Sequence, residues 1–462
     1  MLKHGVILNF KFLRTFLFFL LVFFSQIQSQ NLNLQTKIAQ MLMMGFSGTT
    51  MPDTLAVDLN KRGLGGVILF AGNVTDPQQL SQLTTQLKNT AMLPLLISID
   101  EEGGRVARLN QNNGYEKTYS AFKIGTQIDS MDTTMVWSTK MAGWLKSGGI
   151  NVNFAPVVDV DVNHLSPAIG ALERSFSADP MGVFKHANLF INEFSKKGIV
   201  STLKHFPGHG SAIADSHLGF TDITSTWSDS ELIPYQKLFA QGFDGMTMVG
   251  HLYNKNLDSI YPASLSYHVI TELLRKQLGF NGVVITDALF MKAISDNYPF
   301  DQVIELAINA GNDILLYTTN IQNNHSLVDS IVTIVMNKIS EGKIKIERID
   351  EANLAIAKLK QRITSTEKNY AVEQVPKAYT ISSYPNPFNP VTTIAISLPQ
   401  ETTVDLKAYN ITGELVREIF KGELQSGKFT FAFNGTELPS GIYFISMIAG
   451  KTALHTKLLL LK

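Results

Sequence analysis

Eight short apolar runs between residues 34 and 363 constrain the fold of this 462-residue chain more than any other feature. Each run has the length of a strand, and the intervening stretches, such as 130–147 and 181–197, have helical spacing. Because eight βα units close a barrel, we predict an α/β fold with a (β/α)8 TIM-like barrel at 34–363. A doubly wound open sheet is the alternative. The predicted strands are 41–46, 66–70, 95–100, 151–158, 200–205, 245–251, 282–287 and 313–317.

The last quarter of the chain has a different pattern. Apolar periodicity fails over 364–383, which predicts a linker, and the proline-rich stretch 384–390 suits neither a helix nor a central strand. Alternating runs with turn signals between them follow, so we predict a small all-β, immunoglobulin-like sandwich at 384–462. The alternating runs are 392–398, 403–408, 428–433 and 441–449.

The first 29 residues are predicted to be a signal peptide. Lysine and arginine precede the apolar run 16–24, and a polar stretch follows it. We place cleavage between Ser25 and Gln30. An N-terminal membrane anchor is the alternative, but nine apolar residues are too few to span a bilayer, so no stable membrane span is expected in the mature protein.

Charge and cysteine content exclude several function classes. Lysine plus arginine and aspartate plus glutamate are equal at 39 each, which argues against a nucleic acid or an anionic membrane surface as partner. The absence of cysteine excludes disulfides, thiolate metal sites, a cysteine nucleophile and a lipidated cysteine.

Polar residues fall at the carboxyl ends of the predicted strands, which form the catalytic face of a TIM barrel. Asp100 ends the third strand, Lys204 and His205 end the fifth, His251 ends the sixth and Asp287 ends the seventh. A carboxylate that closes an apolar run must be hydrogen-bonded or used in chemistry, so Asp287 is a candidate catalytic residue. For His251, a structural role in the protein interior is the simpler interpretation.

Residues 204–217 contain the densest set of chemical groups. Pro207 and two glycines exclude a helix, so His205 and His209 cannot share a helical face as in a zinc-binding HExxH motif. A metal site is therefore not predicted. Asp215 and His217 are two residues apart, close enough for the carboxylate to fix the tautomer of the imidazole and raise its basicity. This pair is a candidate general acid/base.

The spacing of Lys204, His205, Asp215 and His217 resembles the signature loop of bacterial family 3 glycoside hydrolases of the β-N-acetylglucosaminidase (β-N-acetylhexosaminidase) type. This resemblance implies that Asp287 is the nucleophile and that His217, oriented by Asp215, is the acid/base. It also implies that no metal or organic cofactor is needed. The residues expected to hold the non-reducing sugar are Asp100, Arg108, Arg174, Lys204 and His205.

Three residues depart from the family pattern, and the predicted signal peptide is a larger departure. Glu101 stands where glutamine is frequent, Ser177 where glycine is frequent, and Ala288 where a second aspartate is common. None of them removes a group that the chemistry needs.

The C-terminal module resembles the type A sorting domain of the type IX secretion system, in its Pro-Asn-Pro opening, its Gly-Ile-Tyr run and its lysine-bearing last strand at 457–462. The resemblance implies that the type IX machinery recognises residues 384–462. Together with the signal peptide, it predicts passage through the periplasm to the cell surface or medium. A carbohydrate-binding or purely structural sandwich is the alternative.

These observations predict an exported, retaining exo-glycosidase that removes terminal β-linked N-acetylglucosamine from oligosaccharides such as chitin or peptidoglycan fragments. The carbohydrate would be its substrate, and the glycosidic bond would be hydrolysed by double displacement. Alternatives within the family are a β-glucosidase or β-xylosidase and a β-N-acetylglucosaminide phosphorylase. An inactive carbohydrate-binding protein at the cell surface is the alternative from another class.

Overall fold

The structure is a computed structural model that describes residues 32–216, 219–374, 378–424 and 427–462. The predicted signal peptide and His217 lie outside these residues. Two compact units are present, with the boundary between Thr364 and Ser365. Within the described part of the chain, no helix is both long enough and apolar enough to cross a membrane.

The first unit is built on eight parallel strands, which neighbour one another in the order 283–286, 246–249, 200–206, 152–153, 96–99, 66–69, 42–44 and 315–317. The ring closes where Ile314 donates to the carbonyl of Val284 at 3.0 Å and accepts from the amide of Thr286 at 3.1 Å. All eight predicted strands are present, and the predicted TIM-like barrel is confirmed. The strands are β1 (Leu42–Met44), β2 (Gly66–Leu69), β3 (Leu96–Ile99), β4 (Val152–Asn153), β5 (Val200–Phe206), β6 (Met246–Val249), β7 (Val283–Thr286) and β8 (Leu315–Tyr317).

Strand β4 is much shorter than the predicted run 151–158. Pro156 has no amide hydrogen, so it cannot continue the ladder, and only an isolated bridge between Val157 and Lys204 follows. Every residue of the eight strands is buried, because helices and loops cover the outside of the barrel and side chains fill its inside.

Two of the outer helices begin at an Asp-Pro pair. Asp76 accepts from the amides of Gln78 and Gln79, both at 2.9 Å, and Asp179 caps the start of a later helix in the same way. The helices are α1 (Leu34–Gln40), α2 (Asp53–Val57), α3 (Pro77–Thr90), α4 (Met131–Ser147), α5 (Pro180–Lys196), α6 (Ile233–Ala240), α7 (Lys292–Ser295), α8 (Phe300–Ala310), α9 (Leu327–Ser340) and α10 (Ile346–Gln374).

Shorter elements fill the loops. Three pairs of short strands are Glu101–Gly103 with Val106–Ala107, Thr221–Asp222 with Leu252–Tyr253, and Ile321–Gln322 with His325–Ser326. Additional helical segments are Asp58–Arg62, Ala71–Asn73, Gln111–Asn113, Lys123–Ile128, Gly170–Leu172, Asp229–Leu232, Ala263–Leu265 and His268–Gln277.

Residues 364–374, which the sequence analysis assigned to a linker, continue α10. The sequence contains neither glycine nor proline between Gly342 and Pro376, so nothing in the backbone stops the helix where the apolar periodicity fails.

The second unit contains two antiparallel sheets, with strands in the orders 380–384, 391–398, 427–434 and 415–424, 402–410, 441–449, 452–460. Ile394 and Ile396 of the first sheet share a buried core with Leu406 and Met447 of the second. The predicted all-β module is confirmed. Its strands are β9 (Thr380–Tyr384), β10 (Val391–Leu398), β11 (Thr402–Asn410), β12 (Leu415–Leu424), β13 (Gly427–Asn434), β14 (Gly441–Ala449) and β15 (Thr452–Leu460).

Strand β9 lies almost entirely in residues 364–383, which were predicted to be a linker, and strand β12 was not predicted at all. Its pairing with β11 shifts register between Leu406 and Lys407 and again between Ala408 and Tyr409. These irregularities interrupt the two-residue alternation on which strand prediction relies.

Candidate active site

Polar side chains converge at one rim of the barrel because parallel strands direct their carboxyl ends to the same side. Asp100 follows β3, Lys204 and His205 lie near the end of β5, His251 follows β6, and Asp287 directly follows β7. The strand positions expected from the sequence therefore place these five residues at this rim.

Lys204 lies at the centre of a largely buried charge cluster. Its Nζ is 2.7 Å from Oδ1 of Asp100 and 2.6 Å from Oε1 of Glu102. Arg174 donates through Nε and Nη2 to the two oxygens of Glu102, each at 2.8 Å. Arg108 lies 3.2 Å from the second oxygen of Asp100. These five residues are called the Lys204 cluster below.

The two carboxylates of the Lys204 cluster are ionised near neutral pH. Burial alone would raise the pKa of Asp100, but the charges of Lys204 and Arg108 outweigh burial and hold it below its ordinary value. Burial of Glu102 is likewise outweighed by Arg174 and Lys204, and its pKa lies far below the ordinary value. The cluster therefore offers both charged acceptors and charged donors to a polyhydroxylated ligand.

Glu102 was not among the predicted site residues. It bridges Lys204 and Arg174, and only 3% of its side chain is exposed. A signal was present in the sequence, since Asp100 and Glu102 are two residues apart at a strand end and extended backbone directs such residues to the same side.

The ring of His205 is held between an acceptor and a donor. Its Nδ1 is 2.7 Å from Oδ2 of Asp159, and Nη2 of Arg174 lies 3.3 Å from its Nε2. Arginine can only donate and an ionised carboxylate can only accept, so the neutral ring carries its hydrogen on Nδ1. Asp159 thus sets the tautomer of His205.

His209 lies inside the loop rather than at its surface. It is 2% exposed, its amide donates to Oδ1 of Asp159 at 2.8 Å, and its Nε2 is 3.3 Å from Oγ of Ser216. Burial, helped by the nearby His205, lowers the pKa of His209 to about 4. A ring that stays neutral at physiological pH supports the loop sterically and by hydrogen bonding.

Asp287 is held at the end of β7 by backbone contacts. Its amide donates to Val249 at 3.0 Å, and its Oδ1 accepts from the amide of Ala288 at 2.7 Å. His251 fixes the same segment, since one ring nitrogen lies 3.0 Å from the carbonyl of Ala288 and the other 2.7 Å from the hydroxyl of Ser264. The structural role expected for His251 therefore includes support of the backbone next to Asp287.

Asp215 is partly exposed in the loop after β5. This loop is anchored at Gly210, whose amide donates to Glu231 at 3.0 Å and whose carbonyl accepts from the amide of Asn163 at 3.1 Å. His217 lies outside the described residues, so the proposed pairing with Asp215 stays a prediction.

No group of three or more histidine, aspartate or glutamate side chains is placed to hold a metal ion in the part of the chain that the structure describes. Independence from metals and cofactors also stays a prediction.

Glu101 extends to the other side of the backbone from Asp100 and Glu102. It is 0% exposed, and its Oε2 accepts from the amide of Leu109 at 2.8 Å. Burial raises the pKa of Glu101 to about 8. The protonated carboxyl group is then neutral at pH 7, like the glutamine that is frequent at this position in the resembling family.

Replacing Glu101 with glutamine is expected to stabilise the protein progressively as the pH rises. In the wild type, the unfolded chain releases the carboxyl proton near pH 4.3 and the folded chain near pH 8, so rising pH favours unfolding within that window. Each pH unit in the window contributes up to about 1.4 kcal/mol. The melting temperature of Glu101→Gln should therefore exceed that of the wild type by an amount that grows from pH 4 to pH 8 and is constant from pH 8 to pH 9.

Glu116, an exposed carboxylate paired with Lys140, provides the matched control. Glu116→Gln should follow the wild-type melting curve without such a pH dependence. Parallel curves for Glu101→Gln and wild type across this pH range would show that Glu101 is ionised in the folded protein.

Two family models match the chain. Residues 33–359 match "Glycosyl hydrolase family 3 N terminal domain", and residues 382–461 match "Secretion system C-terminal sorting domain". The first match covers the barrel and the second covers nearly all of the antiparallel module.

Individual proteins of this kind are similar as well. Beta-hexosaminidase A of Pseudoalteromonas piscicida is 35% identical over 350 residues, which are 70% of this chain and 58% of that protein. Beta-hexosaminidase of Tolumonas auensis is 36% identical over 298 residues, 63% of this chain and 86% of that protein. A family 3 β-N-acetylglucosaminidase structure from Paenibacillus sp. aligns with a TM-score of 0.66 and 31% identity, over 76% of this chain and 65% of that chain.

Proposed function

Because the chain belongs to glycosyl hydrolase family 3, we propose that it is an exported, retaining exo-β-N-acetylglucosaminidase. The observation that carries the proposal is the Lys204 cluster, a set of paired charged side chains at the same barrel rim as Asp287. Relatives named beta-hexosaminidase and a β-N-acetylglucosaminidase of similar structure support the choice of sugar.

The Lys204 cluster would bind the terminal sugar. Asp100 accepts hydrogen bonds from sugar hydroxyls, while Lys204, Arg174 and Arg108 donate to hydroxyl oxygens. Contacts with Asp100 and Glu102 hold the ammonium group of Lys204 in place at the rim. His205, with its hydrogen directed to Asp159, contributes a ring held in one orientation.

Two displacement steps would follow. Asp287 attacks the anomeric carbon while His217, kept in the productive tautomer by Asp215, protonates the departing oxygen. The resulting glycosyl ester is then hydrolysed by a water molecule that gives its proton to His217. The first step inverts the anomeric centre and the second inverts it again, so the β-configuration is retained.

A panel of 4-nitrophenyl β-glycosides tests this function directly. The β-N-acetylglucosaminide should be the best substrate, with the N-acetylgalactosaminide, glucoside and xyloside included as competitors. Repeating the assay with phosphate distinguishes hydrolysis from phosphorolysis, which would yield the sugar 1-phosphate. Preference for the glucoside or xyloside would indicate a β-glucosidase or β-xylosidase instead. Formation of the sugar 1-phosphate would indicate a phosphorylase. No turnover of any glycoside would favour an inactive binding protein.

The C-terminal module would direct export through the type IX secretion system, and the predicted signal peptide would direct the first step into the periplasm. The match of residues 382–461 to a sorting domain supports this route.

A chain that ends at Ile363 is expected to remain folded and active, but to stay in the periplasm because it is not exported across the outer membrane. Among the side chains that the structure describes, Ile363 is the last in the barrel core, and the C-terminal module has a separate core of its own, which includes Ile394 and Leu406. Activity and localisation should be measured in a host that has the secretion system, with the full chain as control. Recovery of the shortened protein from the medium at the level of the full chain would contradict the sorting role.

A further inference from the structure

Two aromatic rings form a partly exposed pair at the catalytic rim. The centroids of Phe220 and Tyr253 are 5.2 Å apart, with the ring planes inclined by 40°. Phe220 is 49% exposed although it is a large apolar side chain, and Tyr253 is partly exposed. Such a pair is available to pack against an apolar surface of a ligand.

The backbone holds both rings in place. Strand Leu252–Tyr253 pairs in parallel with Thr221–Asp222, with Leu252 opposite Thr221. Beneath this short sheet, Leu252 packs with Ala212 and Ile223 in a small buried core. The hydroxyl of Tyr253 also donates to the carbonyl of Ser259 at 3.0 Å. The pair therefore joins the loop after β5 to the loop after β6.

Chain connectivity keeps the pair close to the proposed chemistry. Phe220 follows His217 by three residues, which limits the distance between their Cα atoms to about 11 Å. Tyr253 follows His251 by two residues, and His251 contacts the carbonyl of Ala288 next to Asp287. A sugar bound next to the proton donor would thus lie within reach of both rings.

We propose that Phe220 and Tyr253 form a binding platform for the sugar on the leaving-group side of the scissile bond. The inference rests on the proposed function, in which His217 must contact the oxygen that links this sugar to the terminal residue. Because an exo-enzyme encloses only the terminal sugar, the remainder of the oligosaccharide lies towards solvent, where the pair is exposed. The C–H face of a β-linked sugar ring is apolar and packs on aromatic rings.

Phe220→Ala should lower kcat/KM only for substrates whose leaving group is a sugar. The β-linked disaccharide of N-acetylglucosamine has a sugar for the platform, whereas the β-fluoride of N-acetylglucosamine has the same terminal sugar and no ring beyond it. Loss of one aromatic contact is expected to lower kcat/KM for the disaccharide about threefold to tenfold. The kcat/KM for the fluoride should stay unchanged.

Phe220→Tyr keeps the ring and should behave as wild type with both substrates, and Asp222→Asn, an exposed change in the same short sheet, should do the same. Equal losses of Phe220→Ala on both substrates would assign Phe220 a structural role only. Unchanged kinetics on both would also overturn the platform. Failure of the wild-type protein to use either substrate would instead refute the proposed function itself.

Discussion

Replacing Asp287 with alanine is expected to abolish turnover almost completely while the barrel stays folded. In the proposed mechanism, covalent catalysis lowers the activation free energy of glycoside cleavage by about 4 kcal/mol or more, so kcat should fall by at least about a thousandfold. The fold should persist because alanine introduces no charge, and the amide of residue 287 can still donate to the carbonyl of Val249 at the end of β7. The measurement is kcat on the 4-nitrophenyl β-N-acetylglucosaminide, together with the melting temperature.

Asp296 supplies the matched control, since it is an exposed carboxylate that follows α7 nine residues after Asp287. Asp296→Ala should retain wild-type kinetics. Adding azide to Asp287→Ala should restore turnover, because the small anion can enter the space left by the carboxylate and attack the anomeric carbon. The product should be the α-glycosyl azide. Retention of more than about a tenth of wild-type activity would remove Asp287 from the role of nucleophile.

Asp215→Asn is expected to slow the first chemical step according to how much proton donation the leaving group needs. The amide lacks the charge that stabilises the imidazolium form of His217, and it can accept or donate, so the wrong tautomer becomes accessible. Substrates with basic leaving groups should lose about 10² to 10⁴ in rate, the usual contribution of general acid catalysis. Activated aryl leaving groups, which depart with little help, should lose much less.

The measurement is the rate of glycosylation against leaving-group pKa for the wild type and Asp215→Asn. The slope should become steeper in the variant. Asp222→Asn, an exposed carboxylate in the same loop, should leave the slope unchanged. Equal losses over the whole series would refute the acid/base role of the pair formed by Asp215 and His217.

The order of the elements was readable from the sequence. Strand-length apolar runs alternate with amphipathic segments, and parallel strands buried on both faces need such runs, so the eight-stranded barrel followed from local pattern alone. The strand tips carrying Asp100, Lys204 and Asp287 followed as well, because the end of an apolar run is a local feature.

Local pattern failed where backbone irregularity or a missing stop signal decided the outcome. Strand β12 lost its alternation to two register shifts, and α10 continued past its apolar periodicity because the sequence lacks a helix breaker before Pro376.

The contacts that make the rim a site were decided by tertiary structure. Lys204 meets Asp100 and Glu102 across about a hundred residues of sequence, and Arg174 reaches Glu102 across 72. The sequence alone determined which chemical groups were available, through the residue types and their positions at strand ends. Barrel closure and strand register decided that Glu102 faces Lys204 while its neighbour Glu101 is buried on the other side. Side chains alternate along extended backbone, and only the packed register fixes which side each one faces.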